Sequence, residues 1–243
     1  MLIVSQSAPM RFGNRLLDQL PDDASARLAP DLKHLTVAAG DVLYASQSLQ
    51  PYLFFPNSGI VSVFHDLADG EGGAIATIGN EGASGYALML SGQRAPTHTV
   101  IQLAGEGVML KADAFHREFH RGDAFQQLLL RYILYRISEM GQIAICNRHH
   151  SVEEQLCRLL LLYSTRSGLE TLHLTHESIA SLLGVRREGV SRSVHRLQQA
   201  ELISSRYGLV QIIDPKGLEQ HSCECYRAIL EGYKRIVARP LAV

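Results

Sequence analysis

Residues 172–213 read LHLTHESIASLLGVRREGVSRSVHRLQQAELISSRYGLVQII, and this stretch decides the fold. LHL (172–174) predicts a short strand. Thr175 stands where a helix needs an N-cap, HESIASLL follows, and Gly184 marks the residue just past the helix end. After Val185 a second helix runs through REGVSRSVHRLQQA. ELISSRYGLVQII predicts a strand, a tight turn at Arg206-Tyr207-Gly208, and a second strand. Helix, short glycine turn, helix and β-hairpin make a winged helix-turn-helix.

The second helix carries the chemistry. Val190, Val194 and Leu197 form an inward stripe facing Ile179, Ala180 and Leu183 of the first helix. Arg187, Glu188, Ser191, Arg192 and His195 form one continuous outward face near the N-terminus, the part that enters a DNA major groove. Arg presents a two-pronged donor to guanine, Glu accepts from cytosine N4, and Ser bonds to either partner or touches a thymine methyl. A Glu beside the arginines opposes indiscriminate phosphate binding, so Arg187, Glu188, Ser191 and Arg192 are read as base contacts. The competing reading is a solvated face with an i,i+4 ion pair between Glu188 and Arg192. Residues 186–206 hold five Arg against two Glu, a local positive field. Thr175, Arg186, His195, Arg196 and Arg206 are candidate contacts to the DNA backbone.

Charge over the whole chain hides this field. The 243 residues carry a formal net charge of -1. Residues 1–123 carry 8 Lys+Arg against 13 Asp+Glu, whereas residues 124–243 carry 15 against 11. An acidic front and a basic back suggest two tasks on one chain. Hydrophobic residues make up 46% and charged residues 19%, which excludes a disordered or collagen-like chain.

Upstream, Ser151 and Glu154 form a capping box that opens a helix through VEEQLCRLLLLYS, ended by Gly168. Downstream, Asp214-Pro215 starts a last helix. From Asp123, a capping residue, DAFQQLLLRYILYRISEMGQIAICN is helical for more than twenty residues. Leu130, Ile133, Ile137, Met140 and Ala144 recur at three- and four-residue steps, with Phe125, Leu129, Tyr132 and Tyr135 on a neighbouring face. A helix apolar on two sides needs two covering surfaces. The simplest arrangement puts the front domain on one side and a second copy of the chain on the other, across Leu130, Ile133, Ile137, Met140 and Ala144.

The front reads differently. NRLLDQL and a turn around Ala26 and Leu28 predict short helices separated by a break at Pro21-Asp22-Asp23. From 33 to 110, six or more short strands alternate with glycine turns: HLTVAAGDVLYA, YLFF, Asn57-Ser58-Gly59, IVSVFHDL, Asp69-Gly70, AIATI, VIQLAG and EGVMLKA. That pattern indicates an antiparallel barrel or sandwich. Gly79, Gly82 and Gly85 sit three apart; turn glycines explain them better than a phosphate cradle, since no Lys-Ser/Thr follows. The fold class is α+β. An N-terminal antiparallel β-domain is expected over 1–122, a long dimerisation helix over 123–148 and a C-terminal winged helix-turn-helix over 149–243.

LTHESIASLLGVRREGVSRSVHRLQQAELI (174–203) resembles the DNA-binding segment of the Crp/Fnr family of bacterial transcription regulators, with Glu188-x-x-Ser191-Arg192 after Gly184 matching its recognition-helix signature. The resemblance implies that the domain over 1–122 is a jelly-roll-like β-roll sensor domain. It also implies a homodimeric regulator on a palindromic operator, with double-stranded DNA, a second copy of itself and RNA polymerase as partners. Arg187, Glu188 and Arg192 fall where cyclic-AMP receptor proteins read a TGTGA-like half-site. Glu188, Ser191 and Arg192 fall where Fnr-like members read TTGAT, so the half-site stays open between the two. Gly189 departs from the larger residue usual in the family. At the effector position the family's Gly-Glu pair and phosphate-binding Arg are replaced by Gly85-Tyr86 and Pro96, with Arg94 two residues off. Cyclic AMP is therefore not expected, and the controlling signal is unidentified. Fnr-like iron–sulfur sensing looks like an N-terminal cysteine cluster, and this chain has no Cys before Cys146.

The remaining features carry less. Four cysteines, clustered late, do not make a disulfide scaffold, and a reducing compartment fits them. His221, Cys223 and Cys225 offer three ligands at cramped spacing without a partner pair, so neither metal nor cofactor is expected. Cys146 and Cys157 flank the hinge before the DNA-binding part, where oxidation would act on domain orientation; His149-His150 lie at the same hinge, read as a solvated linker. No signal peptide is expected, and the most apolar window, LLLRYILYRI, is cut by Arg131 and Arg136, so no membrane span and a cytoplasmic location are expected. No catalytic constellation stands out, so no enzyme is expected. The rival reading is a ligand- or partner-binding module whose winged helix docks protein rather than DNA.

Overall fold

A computed structural model describes residues 11–66, 72–90, 92 and 94–238. The Asp69-Gly70 turn lies outside the described residues. A 3-10 turn at Leu17–Gln19 and helix α1 (Asp22–Leu28) precede the sheets. The acidic pair Asp22-Asp23 opens α1 instead of breaking it, because carboxylates favour the positive end of the helix dipole.

Seven strands follow: β1 (Leu32–Val37), β2 (Val42–Tyr44), β3 (Tyr52–Pro56), β4 (Ile60–Asp66), β5 (Gly72–Ile78), β6 (Thr97–Leu103) and β7 (Gly105–Lys111). They form two antiparallel sheets, β1-β7-β3 and β2-β6-β4-β5. Between them lies a core of Val37, Phe54, Val61, Val63, Ile78 and Ile101. β3 and β4 are consecutive but do not pair; the chain changes sheet at Asn57-Ser58-Gly59. Gly59 takes a φ of +77°, and a Cβ there would lie 2.5 Å from the Leu103 carbonyl oxygen, so the crossing point accepts only glycine.

Helices α2 (Tyr86–Leu90), α3 (Ala112–Phe119) and α4 (Ala124–His149) follow. Asp123 caps α4 by accepting from the Phe125 N–H. This 26-residue helix buries Phe125, Leu129, Tyr132 and Tyr135, the set expected to face its own chain. Leu130, Leu134, Ile137 and Ile145 lie exposed along another face. Helix α5 (Val152–Ser167) opens with both hydrogen bonds of the Ser151/Glu154 capping box and closes at Gly168 in the left-handed conformation. Strand β8 (Thr171–His173), helices α6 (His176–Leu183) and α7 (Arg187–Gln199), and strands β9 (Ile203–Arg206) and β10 (Leu209–Ile212) complete the winged element. Asp214 caps α8 (Pro215–Gln220), but α8 is not the last helix: the chain turns at Ser222 and Cys223 and adds α9 (Cys225–Ile236). The ring of Tyr233 on α9 meets that of Tyr135 on α4 edge-on, 5.3 Å between centroids, so α9 covers a side of α4 that the sequence left open. No helix among the described residues is long and apolar enough to cross a membrane.

The winged half is docked onto the sheets. Ser62 of β4 shares a buried hydrogen bond with the Tyr163 hydroxyl of α5 at 3.2 Å. Behind that contact lie four buried charges from three parts of the chain: Glu81 after β5, Arg136 and Glu139 on α4, and Arg166 on α5. Arg136 Nη1 donates to Glu139 at 2.7 Å, and Arg166 Nη2 donates to Glu139 at 2.8 Å. Arg166 Nη1 donates to the backbone and side-chain oxygens of Thr77, and its Nε lies 3.1 Å from Glu81. Buried charges persist only when paired and hydrogen-bonded, and this group is balanced at two against two. Arg136, which interrupts an apolar run in the sequence, is 1% exposed.

Two of the three glycines after β5 belong to the same contact. A Cβ on Gly79 would lie 2.6 Å from Arg166, and one on Gly82 would lie 2.3 Å from the Tyr132 hydroxyl. Gly79 and Gly82 are glycines because α5 and α4 press onto the loop; Gly85, at a φ of +112°, instead lies against Leu53 and Tyr52 of β3.

Candidate nucleic-acid interface

Local signals build the interface. The Thr175 hydroxyl accepts from the Ser178 N–H at 3.0 Å and starts α6. Gly184, at a φ of +65°, ends it and turns the chain into α7. Ile179, Ala180 and Leu183 meet Val190, Val194 and Leu197 in the core, as their spacing requires. That contact fixes which face of α7 looks outward.

On that face Arg187, Glu188, Arg192, His195 and Arg196 are exposed, and Ser191 is half-buried. The Ser191 hydroxyl lies 3.0 Å from Nδ1 of His176 on α6, so its orientation is tied to the first helix. Arg187 sits 3.8 Å from Glu177, and Arg196 sits 3.4 Å from Glu153 of α5. Exposed pairs of this kind contribute about 0–1 kcal/mol, so exchanging either carboxylate for a phosphate costs little. Gly189 is half-buried, and a Cβ there would meet nothing within 4 Å.

The wing adds a residue beyond those expected from the sequence. Tyr207 and Gly208 have φ of +51° and +76°, the two positive values of a type I′ hairpin turn. Tyr207 is fully exposed at the tip, beside the exposed Arg206. The signal was present in the Tyr-Gly pair, since a bulky residue ahead of the turn glycine projects from a two-residue loop. Thr175 and Arg186 are also exposed. Thr175 lies under the wing, its methyl 3.2 Å from where a Gly208 Cβ would be. Of the residues expected to touch DNA, all but the half-buried Ser191 are therefore exposed.

A cleft of about 1290 Å³ separates β5 from the N-terminus of α7, lined by His65, Gly73, Glu177, Arg186, Arg187 and Glu188. Tyr86 packs against both core clusters, and Arg94 is exposed, its Nη1 donating to the Gln47 carbonyl at 2.7 Å.

On the outer face of α4, Leu130, Ile137 and Ala144 are exposed and Met140 is half-buried. Ile133 is not on that face. It is 8% exposed and packs in its own chain's core, and Leu134 takes its place in the outward stripe. One residue is 100° of helix rotation, enough to exchange the faces.

Residues 154–221 match the family of Crp-like helix-turn-helix domains. Comparison with curated proteins gives no match. Solved structures align over most of the chain. A transcriptional regulator of the crp/fnr family from Eubacterium rectale, described as putative in its own name, matches at a TM-score of 0.66 and 17% identity, covering 88% of this chain and 99% of that one. The chain has the fold of the Crp/Fnr regulators. FixK2 from Bradyrhizobium japonicum matches at a TM-score of 0.66 and 15% identity, covering 79% and 98%. CLP of Xanthomonas campestris, a regulator responsive to c-di-GMP, matches at 0.63 and 16%, covering 79% and 99%. The Crp/Fnr fold accounts for both sheets, the long helix and the winged element.

Proposed function

We propose that this chain is a DNA-binding transcription regulator, working as a homodimer on a palindromic operator. The observation that carries the reading is the outward face of α7, on a Crp-like helix-turn-helix domain. Arg187, Glu188, Ser191 and Arg192 read base edges, while Thr175, Arg186, His195, Arg196 and Arg206 engage the DNA backbone. Leu130, Ile137, Met140 and Ala144, joined by Leu134 and Ile145, form the seam between protomers, which sets two recognition helices about 34 Å apart. Residues 1–122 serve as the sensor, 123–148 as the dimer helix and 149–243 as the DNA-binding part. The signal is not cyclic AMP: Tyr86 and Pro96 offer neither a carboxylate for a ribose nor a guanidinium for a phosphate. The output is transcription through RNA polymerase in the bacterial cytoplasm, not catalysis.

The test is selection from random duplex DNA with the full-length chain and no added nucleotide. The expected product is a two-fold palindrome with GA-containing half-sites. Arg192→Ala should lose about 1–3 kcal/mol at one G·C position only, and Arg206→Ala should weaken all sequences alike. Affinity should fall by several powers of ten between about 50 and 200 mM salt. A weak salt dependence, or an equal loss on every sequence for Arg192→Ala, refutes base reading by α7 and favours a winged helix that docks protein.

A further inference from the structure

The end of α4 and the turn before α9 bring four ligand-bearing side chains to one point. Cys146 lies in the last turn of α4, His150 caps that helix, and Cys223 and Cys225 flank Glu224 at the start of α9. Their ligand atoms all lie within 4.8 Å of one another. Cys146 Sγ is 3.4 Å from Cys223 Sγ, and Cys225 Sγ is 3.7 Å from His150 Nδ1. A tetrahedral zinc ion, with Zn–S of about 2.3 Å and Zn–N of about 2.0–2.1 Å, requires edges of about 3.8 Å between sulfurs and about 3.5 Å from sulfur to nitrogen. We propose that Cys146, His150, Cys223 and Cys225 bind one zinc ion in a closed Cys3His site.

The surroundings suit that assignment. All three thiols are buried and free of disulfides, so water is kept from a fifth position. His150 turns Nδ1 toward Cys225, while its Nε2 lies 3.2 Å from Glu224 Oε2. A metal-binding imidazole characteristically gives its other N–H to a carboxylate, which fixes the ring and makes it a better donor. The side-chain amide of Gln142 donates to Cys225 Sγ at 3.1 Å, as neutral donors do to metal-bound thiolates. The span suits one ion better than a multi-iron cluster, whose bridging sulfides hold the cysteine sulfurs further apart. On binding, each of the three thiols releases its proton to water as its metal–sulfur bond forms, and neutral His150 binds through the Nδ1 lone pair.

His221, the neighbour that the sequence pairs with Cys223 and Cys225, is not part of this group; it is exposed and its Nδ1 faces the Gly217 carbonyl. The missing partners come from far upstream, Cys146 77 residues before Cys223 and His150 75 residues before Cys225. The ion fastens α9 to the end of α4, directly before Ser151 starts the DNA-binding half.

The test uses the full-length chain purified with reductant and without chelator. Elemental analysis should find close to one zinc per chain. Cobalt exchanged for zinc should give a thiolate-to-metal charge-transfer band and the strong visible bands of tetrahedral cobalt. Cys223→Ser, Cys225→Ser and His150→Ala should lose the metal, while Cys157→Ser and His221→Ala keep it. Where a ligand variant does not fold, mercurial modification of the intact chain reads the same point: zinc should leave in step with thiol blocking. Less than about half an equivalent of metal after reconstitution, metal retained in folded Cys223→Ser, or zinc unmoved by thiol blocking overturns the site. So does an intact mass lower by two hydrogens, the mark of a Cys146–Cys223 disulfide.

Discussion

Glu139→Gln removes one of the two carboxylates that balance Arg136 and Arg166, with almost no change of shape. Glu139 is 2% exposed and accepts from both arginines, at 2.7 and 2.8 Å. At an effective dielectric of about 20, each contact is a Coulomb attraction of about 6 kcal/mol, most of it offset by the desolvation of both charges. Breaking one member out of such a group costs about 3–5 kcal/mol, because the remaining charges stay buried. With an m-value of about 3 kcal/mol/M, the urea midpoint should fall by about 1–1.7 M at fixed protein concentration. Adding Arg136→Met should recover part of that loss, since Arg166 and Glu81 then balance one to one. The pH dependence has a definite sign. Burial alone would raise the Glu139 carboxyl, but Arg136 and then Arg166 outweigh it and hold the group below its ordinary value. Its contribution is therefore present above the unfolded pKa of about 4.3 and is lost as pH falls through the folded value. Below about pH 5 the wild-type chain should lose stability more steeply than Glu139→Gln. A midpoint shift under about 0.3 M, or a second substitution that only adds its own cost, refutes the reasoning.

Gly82→Ala places a Cβ 2.3 Å from the hydroxyl and 2.8 Å from the ring of the buried Tyr132, so a melting curve should show about 1–3 kcal/mol of destabilisation, and an unchanged Tm contradicts the packing. Gly189→Ala has open space and removes a helix-interior glycine; it should stabilise by up to about 1 kcal/mol, whereas a loss of DNA affinity without a loss of stability would mark close approach of that backbone to DNA. Ile137→Glu adds charge to the exposed stripe of α4 and should leave the protomer folded but monomeric by light scattering; a persistent dimer refutes the seam.

The back half was legible because its signals are local. Asp123, Ser151 and Thr175 cap their helices, and Gly168 and Gly184 end them, in the order in which the sequence presents them. The α7 face followed from a three- and four-residue stripe whose inward partners were visible nearby. The front half was legible as strands and turns but not as pairings. Asn57-Ser58-Gly59 reads like a hairpin turn, and only the competition of β7 for β3 and of β6 for β4 decides that it joins two sheets. On α4 the apolar residues cover more than half the circumference, so the sequence could not tell Ile133 from Leu134 as the outward residue. Arg136 read as an interruption, because its carboxylate partners include Glu81 from another element. Along the chain Cys223 and Cys225 have only His221 beside them, and their neighbours in space, Cys146 and His150, lie more than seventy residues away.

The loop after β5 rests on the end of α5 with backbone against backbone: the Asn80 N–H donates to the Arg166 carbonyl at 3.3 Å, beneath Gly79. Most interfaces absorb small displacements by letting side chains change rotamer. A glycine has no rotamer to change. Any displacement of this loop has therefore to be taken up by backbone, either by bending of the loop itself or by movement of the end of α5.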